Sequence, residues 1–112
     1  MVKLTEQRCV PCEGGVPPLK PDKITEYLGQ LTLDWEVTDG KKIKHQFEFK
    51  DFKEAIAFVN QVANLAATEG HHPDIHIYYD KVKIVLWTHA IRGLFDNDFI
   101  LAAKIEEIAT GH

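Results

Sequence analysis

Serine is absent from this chain, and its only cysteines are Cys9 and Cys12. Without serine there is no Gly-x-Ser-x-Gly nucleophile, and neither cysteine lies near a histidine in sequence, so covalent catalysis finds no support. Cys9-Val10-Pro11-Cys12 has the spacing of a zinc-ligand pair, but no second Cys-x-x-Cys completes a tetrahedron. Gly14-Gly15 and Pro17-Pro18 stand where a helix would have to lower a thiol pKa, which argues against a redox pair. Two cysteines also make no disulfide framework. No apolar run approaches the ~20 residues of a membrane span. The start of the chain carries Lys3 and Glu6 and does not resemble a secretory signal, so a cytoplasmic location is expected. There is no basic stripe either. Thirteen basic against seventeen acidic residues give a net charge of −4, and the positive charges stand singly or as the pair Lys41-Lys42. Direct binding to a nucleic-acid backbone is therefore not expected.

What is present reads as one folded domain. The 112 residues are 45% hydrophobic and 27% charged, an ordinary balance for a chain with its own core. Residues 1–20 hold Pro11, Gly14, Gly15, Pro17 and Pro18, and are expected to be irregular. Pro21 suits a first helical turn, and Ile24, Tyr27, Leu28 and Leu31 recur at helical spacing. Strands over 35–38 and 43–49 flank an Asp39-Gly40 turn, the second alternating Ile43, His45, Phe47 and Phe49 with polar residues. Asp51 with Glu54 resembles a capping box for a helix over 52–69, with an apolar stripe of Phe52, Ile56, Val59, Ala63 and Ala66 widened by Phe58, Val62 and Leu65. Gly70 is placed to end that helix as a left-handed cap. A second hairpin follows, with strands over 75–79 and 82–89 joined at Asp80-Lys81. A last helix over 96–109 turns Phe99, Ala102, Ile105 and Ala109 inward. The order α-β-β-α-β-β-α predicts an α+β two-layer sandwich: a four-stranded antiparallel sheet with three helices on one face.

The chemistry-bearing residues are histidines. His45 and His76 fit alternating strand positions and read as structural. His71 and His72 lie at a helix-to-strand junction, where Pro73 pushes His72 towards extended backbone so that the two rings project differently. His89 ends the last strand of the same hairpin. The start of one strand and the end of the next are neighbours, so His71, His72 and His89 are expected to meet at one sheet edge, within reach of Asp98 in the first turn of the last helix. Three imidazoles offer proton donors and acceptors near neutral pH, and a carboxylate can orient one of them. His72 and His76 are four apart, but Pro73 argues against the helix that a zinc-binding pair would need. Acid-base chemistry without a metal or a covalent intermediate is what remains.

Those residues resemble the pterin-4a-carbinolamine dehydratase family. The likeness lies in "GHHPD" (70–74), "YDKVKIVLWTH" (79–89) and "GLFDNDFILAAKIEE" (93–107), and more loosely in "CEGGVPPL" (12–19) with Trp35. The resemblance implies the same α+β fold, no metal and no separate cofactor. It implies loss of water from 4a-hydroxytetrahydropterin to give quinonoid dihydropterin, the step that recycles the pterin of aromatic amino-acid hydroxylases. It puts the active-site histidines on His71, His72 and His89 and the active-site aspartate on Asp98. His72 and His89 are the expected proton-transfer pair, with His71 positioning substrate or sharing acid duty. Backbone near Gly70 and over Thr88, His89 and Ala90 would meet the polar edge of the pterin, with Trp87 an apolar wall. Family members are dimers or tetramers, and some animal relatives double as dimerisation cofactors of a transcription factor, so a protein-interaction role is the alternative. Another is a pterin-binding role linked to folate or molybdopterin metabolism. Two departures are visible: Ile91 where animal members have cysteine, and Phe95 where they have Ser or Thr, leaving Asp96 as the expected cap of the last helix.

Overall fold

A computed structural model describes residues 3–10 and 14–111. Among them the order is a 3-10 turn at Leu4–Glu6, α1 (Pro21–Leu28), β1 (Glu36–Thr38), β2 (Lys42–Glu48), α2 (Phe52–Glu69), β3 (Asp74–Tyr78), β4 (Lys81–Leu86), a second 3-10 turn at His89–Ile91, and α3 (Asp96–Thr110). The strands form one antiparallel sheet in the order β1-β2-β4-β3. This is the expected α+β sandwich. Ile43 pairs with Leu86 and Phe47 with Val82. These four side chains and Ile84 are buried, while Lys44, Gln46 and Lys83 lie on the opposite face, as strand alternation requires.

Local chemistry explains the helix limits. Pro21 occupies the first turn of α1, whose missing N–H costs nothing there. Asp51 caps α2 by accepting the Glu54 N–H at 2.8 Å. Gly70 ends it at φ 70, ψ 23, and donates its N–H to the Ala66 carbonyl at 2.9 Å.

Several boundaries differ from expectation. The buried stripe of α2 is Ala55, Phe58, Val62 and Ala66, and Phe52 is 50% exposed. The stripe starts one turn later because Phe52 lies at the first helical position, ahead of the turn that meets the sheet. The β3–β4 turn is Tyr79-Asp80, with Tyr78 paired to Lys81 and Tyr79 at φ 54. Most consequential is that β4 stops at Leu86, so His89 is not on the strand. Its last pairings are Val85 with Asp74 and Leu86 with Ile43. Thr88 instead pairs with Gly93, its N–H donating to the Gly93 carbonyl at 2.8 Å, and the residues between them turn back on themselves.

Helix α3 is buried around most of its first two turns, from Asn97 to Ala103. Beyond the expected Phe99, Ala102 and Ile105, the buried residues of α3 include polar Asn97, Asp98 and, further along, Glu106. Glu106 accepts from Thr32 N–H (3.0 Å), Thr32 Oγ1 (3.0 Å), Leu33 N–H (2.8 Å) and Trp35 Nε1 (2.8 Å), tying the α1–β1 connection to α3. The described residues of the N-terminal segment are irregular apart from the 3-10 turn, but Leu4 is buried in the core.

Candidate active site

The helix-to-strand junction and the β4–α3 connection meet at one end of the sheet. Gly70, His71, His72, Trp87, Thr88, His89 and Ala90 line a cavity there of about 400 Å³. Val10, Pro73, Asp74 and Asn97 also line it. A larger cavity of about 520 Å³ lies along α3 beside Leu4, Thr32 and Ala103. Among the described residues no histidine lines it, and its buried carboxylate, Glu106, is already engaged by four donors.

Asp98 organises the smaller cavity from behind. It is fully buried, and its Oδ1 lies 2.6 Å from His71 Nε2. Its Oδ2 accepts from Thr88 Oγ1 at 2.8 Å and from the Phe95 N–H at 3.0 Å. A carboxylate only accepts, so His71 Nε2 is the donor in this pair. The Phe95 bond also corrects the expected cap. Phe95 is the N-cap position, Asp96 the first helical residue, and the side chain that reaches back to cap the turn is Asp98. Phenylalanine has no acceptor to offer the N–H of the third helical residue, and Asp98 supplies the reciprocal half of a capping box by accepting the N–H of Phe95 itself.

The other two histidines are held differently. His72 is exposed on the cavity wall. His89 is exposed in the 3-10 turn, its ring centroid 4.1 Å from that of Trp87 at 47°. Lys42 Nζ sits 4.4 Å over the Trp87 ring, so the indole is flanked by a cation and an imidazole. The two histidines expected to be structural stand apart. His45 packs on Trp35 and Phe47 and its Nδ1 lies 3.0 Å from the Asp34 carbonyl, and His76 pairs with Lys83 on β3.

Two residues without a sequence signal lie close by. Asn97 Oδ1 accepts the Val10 N–H at 2.9 Å, and its Nδ2 donates to the Val10 carbonyl at 2.6 Å. Glu69, the last residue of α2, accepts the Cys9 N–H at 2.9 Å and is paired with Lys104 at 2.8 Å. Burial alone would raise the Glu69 pKa, but the bonds from Lys104 and the Cys9 N–H, with the charge of Lys104, hold it below its ordinary value. Burial pushes the Cys9 thiol up to about 12, helped by the Glu69 carboxylate, and its Sγ donates to the Asn97 carbonyl at 3.6 Å. A thiol kept protonated in this way is a packing group and a poor metal ligand. Cys12 lies outside the described residues.

The comparisons with known proteins agree with one another. The family model described as "Pterin 4 alpha carbinolamine dehydratase" matches residues 17–108. A protein of Alkaliphilus metalliredigens named "Putative pterin-4-alpha-carbinolamine dehydratase" is 45% identical over 107 residues, 96% of each chain. One of the same name from Nitrosomonas europaea is 46% identical over 103 residues, 92% of this chain and 90% of the relative. Among solved structures, a "transcriptional coactivator/pterin dehydratase from Brucella Melitensis" superposes with a TM-score of 0.77 at 34% identity, covering 82% of this chain and 98% of that one. A "pterin dehydratase-like protein" described as a RuBisCO assembly factor of the alpha-carboxysome shares the fold, with a TM-score of 0.60 at 21% identity over 70% of this chain and 92% of its own. On sequence and fold together, this chain belongs to the pterin 4 alpha carbinolamine dehydratase family.

Proposed function

We propose that the protein is a 4a-hydroxytetrahydrobiopterin dehydratase acting by histidine acid-base catalysis in tetrahydropterin recycling. The observation that carries this reading is that His71, His72 and His89 line one cavity while Asp98 fixes the orientation of the first. In the reaction the C4a–O bond breaks, the departing hydroxyl takes a proton and leaves as water, and N5 gives up its proton as the C4a=N5 bond forms. One imidazolium and one neutral imidazole satisfy that balance with no redox change. His72 and His89, both open to the cavity, are the proton-transfer pair, and one turnover exchanges their protonation states until solvent restores them. His71, held by Asp98, positions the substrate's polar edge. The indole of Trp87 gives the flat ring an apolar wall and packs at a tilt against His89.

The test is dehydration of 4a-hydroxytetrahydropterin with and without the purified protein. No acceleration over the spontaneous reaction rejects the proposal.

The protein is further proposed to act in the cytoplasm as a homodimer or homotetramer. Strand β3 supports the oligomer, since it is an edge strand whose Ile77 and Tyr78 are 42% and 49% exposed. The Brucella protein's description as a coactivator favours one second reading, a protein-interaction role for the same fold. A stable protein partner recovered by pulldown, with no pterin turnover, would establish it instead.

A further inference from the structure

The N-terminal segment is fastened beside the cavity at two separate places. At the first, the Asn97 amide holds both backbone groups of Val10, at 2.9 and 2.6 Å, as a neighbouring strand would. Asn97 is only 2% exposed, and one residue earlier Cys9 is tied to Glu69. At the second, a Cβ built on Gly14 would stand 3.5 Å from the Ala90 carbonyl, and the Leu19 N–H donates to the Leu94 carbonyl at 2.9 Å. Gly93 permits that approach, because a Cβ there would come within 2.7 Å of Pro18 Cβ. Asn97 and Ala90 both line the cavity.

Val10 itself is placed unlike a core valine. Its backbone is pinned, yet its side chain is 53% exposed and forms part of the cavity wall. An apolar side chain fixed in position with half its surface open to water costs hydration until something apolar covers it. Val10 shares the lining of one cavity with His71, His72 and His89.

We propose that Val10 is a specificity-determining wall of the substrate pocket, and that Asn97 is the positioning residue that sets it. The proposal rests on the pterin reading above. The reacting atoms are C4a and N5, and C6 is bonded to N5, so the substituent at C6 lies next to whatever faces the histidines. The bicyclic ring is common to all pterins, and the C6 substituent is where they differ in size. A fixed valine there discriminates between substituents by contact and steric exclusion.

The experiment compares kcat/KM for two 4a-carbinolamines, one bearing a methyl group at C6 and one a dihydroxypropyl chain. The proteins are the unaltered chain, Val10→Ala, Val10→Phe and Asn97→Ala. The ratio between substrates is internal to each preparation, so any loss of folded protein cancels. Val10→Phe is expected to shift the ratio about tenfold against the larger substituent, the size of effect one apolar contact carries. Val10→Ala should shift it the other way, and Asn97→Ala should resemble Val10→Ala because the wall is released. An unchanged ratio in both Val10 variants overturns the proposal while leaving the pterin reading standing. Failure of the unaltered protein to turn over either carbinolamine overturns both.

Discussion

His71 Nε2 and Asp98 Oδ1 lie 2.6 Å apart, joining the junction after α2 to the first turn of α3 across 27 residues of sequence. The same carboxylate receives the Thr88 hydroxyl and the Phe95 N–H. Asp98→Ala therefore strips three partners at once from a fully buried position. It is expected to cost about 3–5 kcal/mol, read as a lower urea midpoint. Asp98→Asn keeps one acceptor for His71 but turns an N–H₂ group towards two donors. It should be less destabilised and still lose at least about tenfold in kcat/KM, because the ring is no longer held as before.

His72 and His89 are both exposed, so removing either ring leaves no buried partner stranded. His72→Ala and His89→Ala should each lower kcat by about 10²-fold or more, the usual worth of a positioned acid or base. Their unfolding midpoints should shift by no more than about 0.5 kcal/mol. Full activity in both variants would sink the proton-transfer assignment.

Glu69 is held below its ordinary pKa of 4.5 by Lys104 and the Cys9 N–H. The folded state therefore binds this proton less readily than the unfolded chain. The resulting stability is fully present above pH 4.5 and is lost as pH falls through the lowered folded value. Glu69→Gln should melt below the unaltered protein at neutral pH, by about 1–2 kcal/mol for a partly shielded pair. The two melting curves should converge on acidification, which thermal scans across that range will read.

With its pKa at about 12 against the ordinary 9.0, the Cys9 thiol carries far less thiolate at pH 8 than a free cysteine. Alkylation at Cys9 should be on the order of 10³-fold slower in the folded protein than in urea. Peptide mapping by mass spectrometry separates it from Cys12. Equal rates would show that the thiol is not shielded.

Glu106 is the buried carboxylate with four donors and no cation among its bonds. Glu106→Ala should destabilise by about 3–5 kcal/mol, since Thr32, Leu33 and Trp35 are left with unsatisfied groups. A near-native denaturation curve would contradict that account.

Much of this was legible in the sequence. The alternation of Ile43, His45 and Phe47, the Asp51 cap and Gly70 identify their elements, because each is a local effect of backbone geometry. The convergence of His71, His72 and His89 on one cavity follows from hairpin topology, even though His89 leaves the strand early. What sequence does not reveal is long-range and polar. Asn97 gripping Val10 and Glu106 gripping Thr32 join residues separated by 87 and 74 positions, and nothing local announces either partner. The displaced cap at α3 has a related cause. With phenylalanine at the N-cap, the side-chain part of the cap comes from the third helical residue, whose carboxylate accepts the Phe95 N–H and also holds His71.

The double duty of Asp98 has a thermodynamic corollary. A ligand that pulls on His71 must also act on the carboxylate that caps α3, so occupancy of the cavity and fraying of that helix end are linked equilibria. Amide exchange at Phe95 then becomes a reporter of binding from a residue outside the cavity lining. Selection acting on the site and selection acting on the fold meet at one side chain.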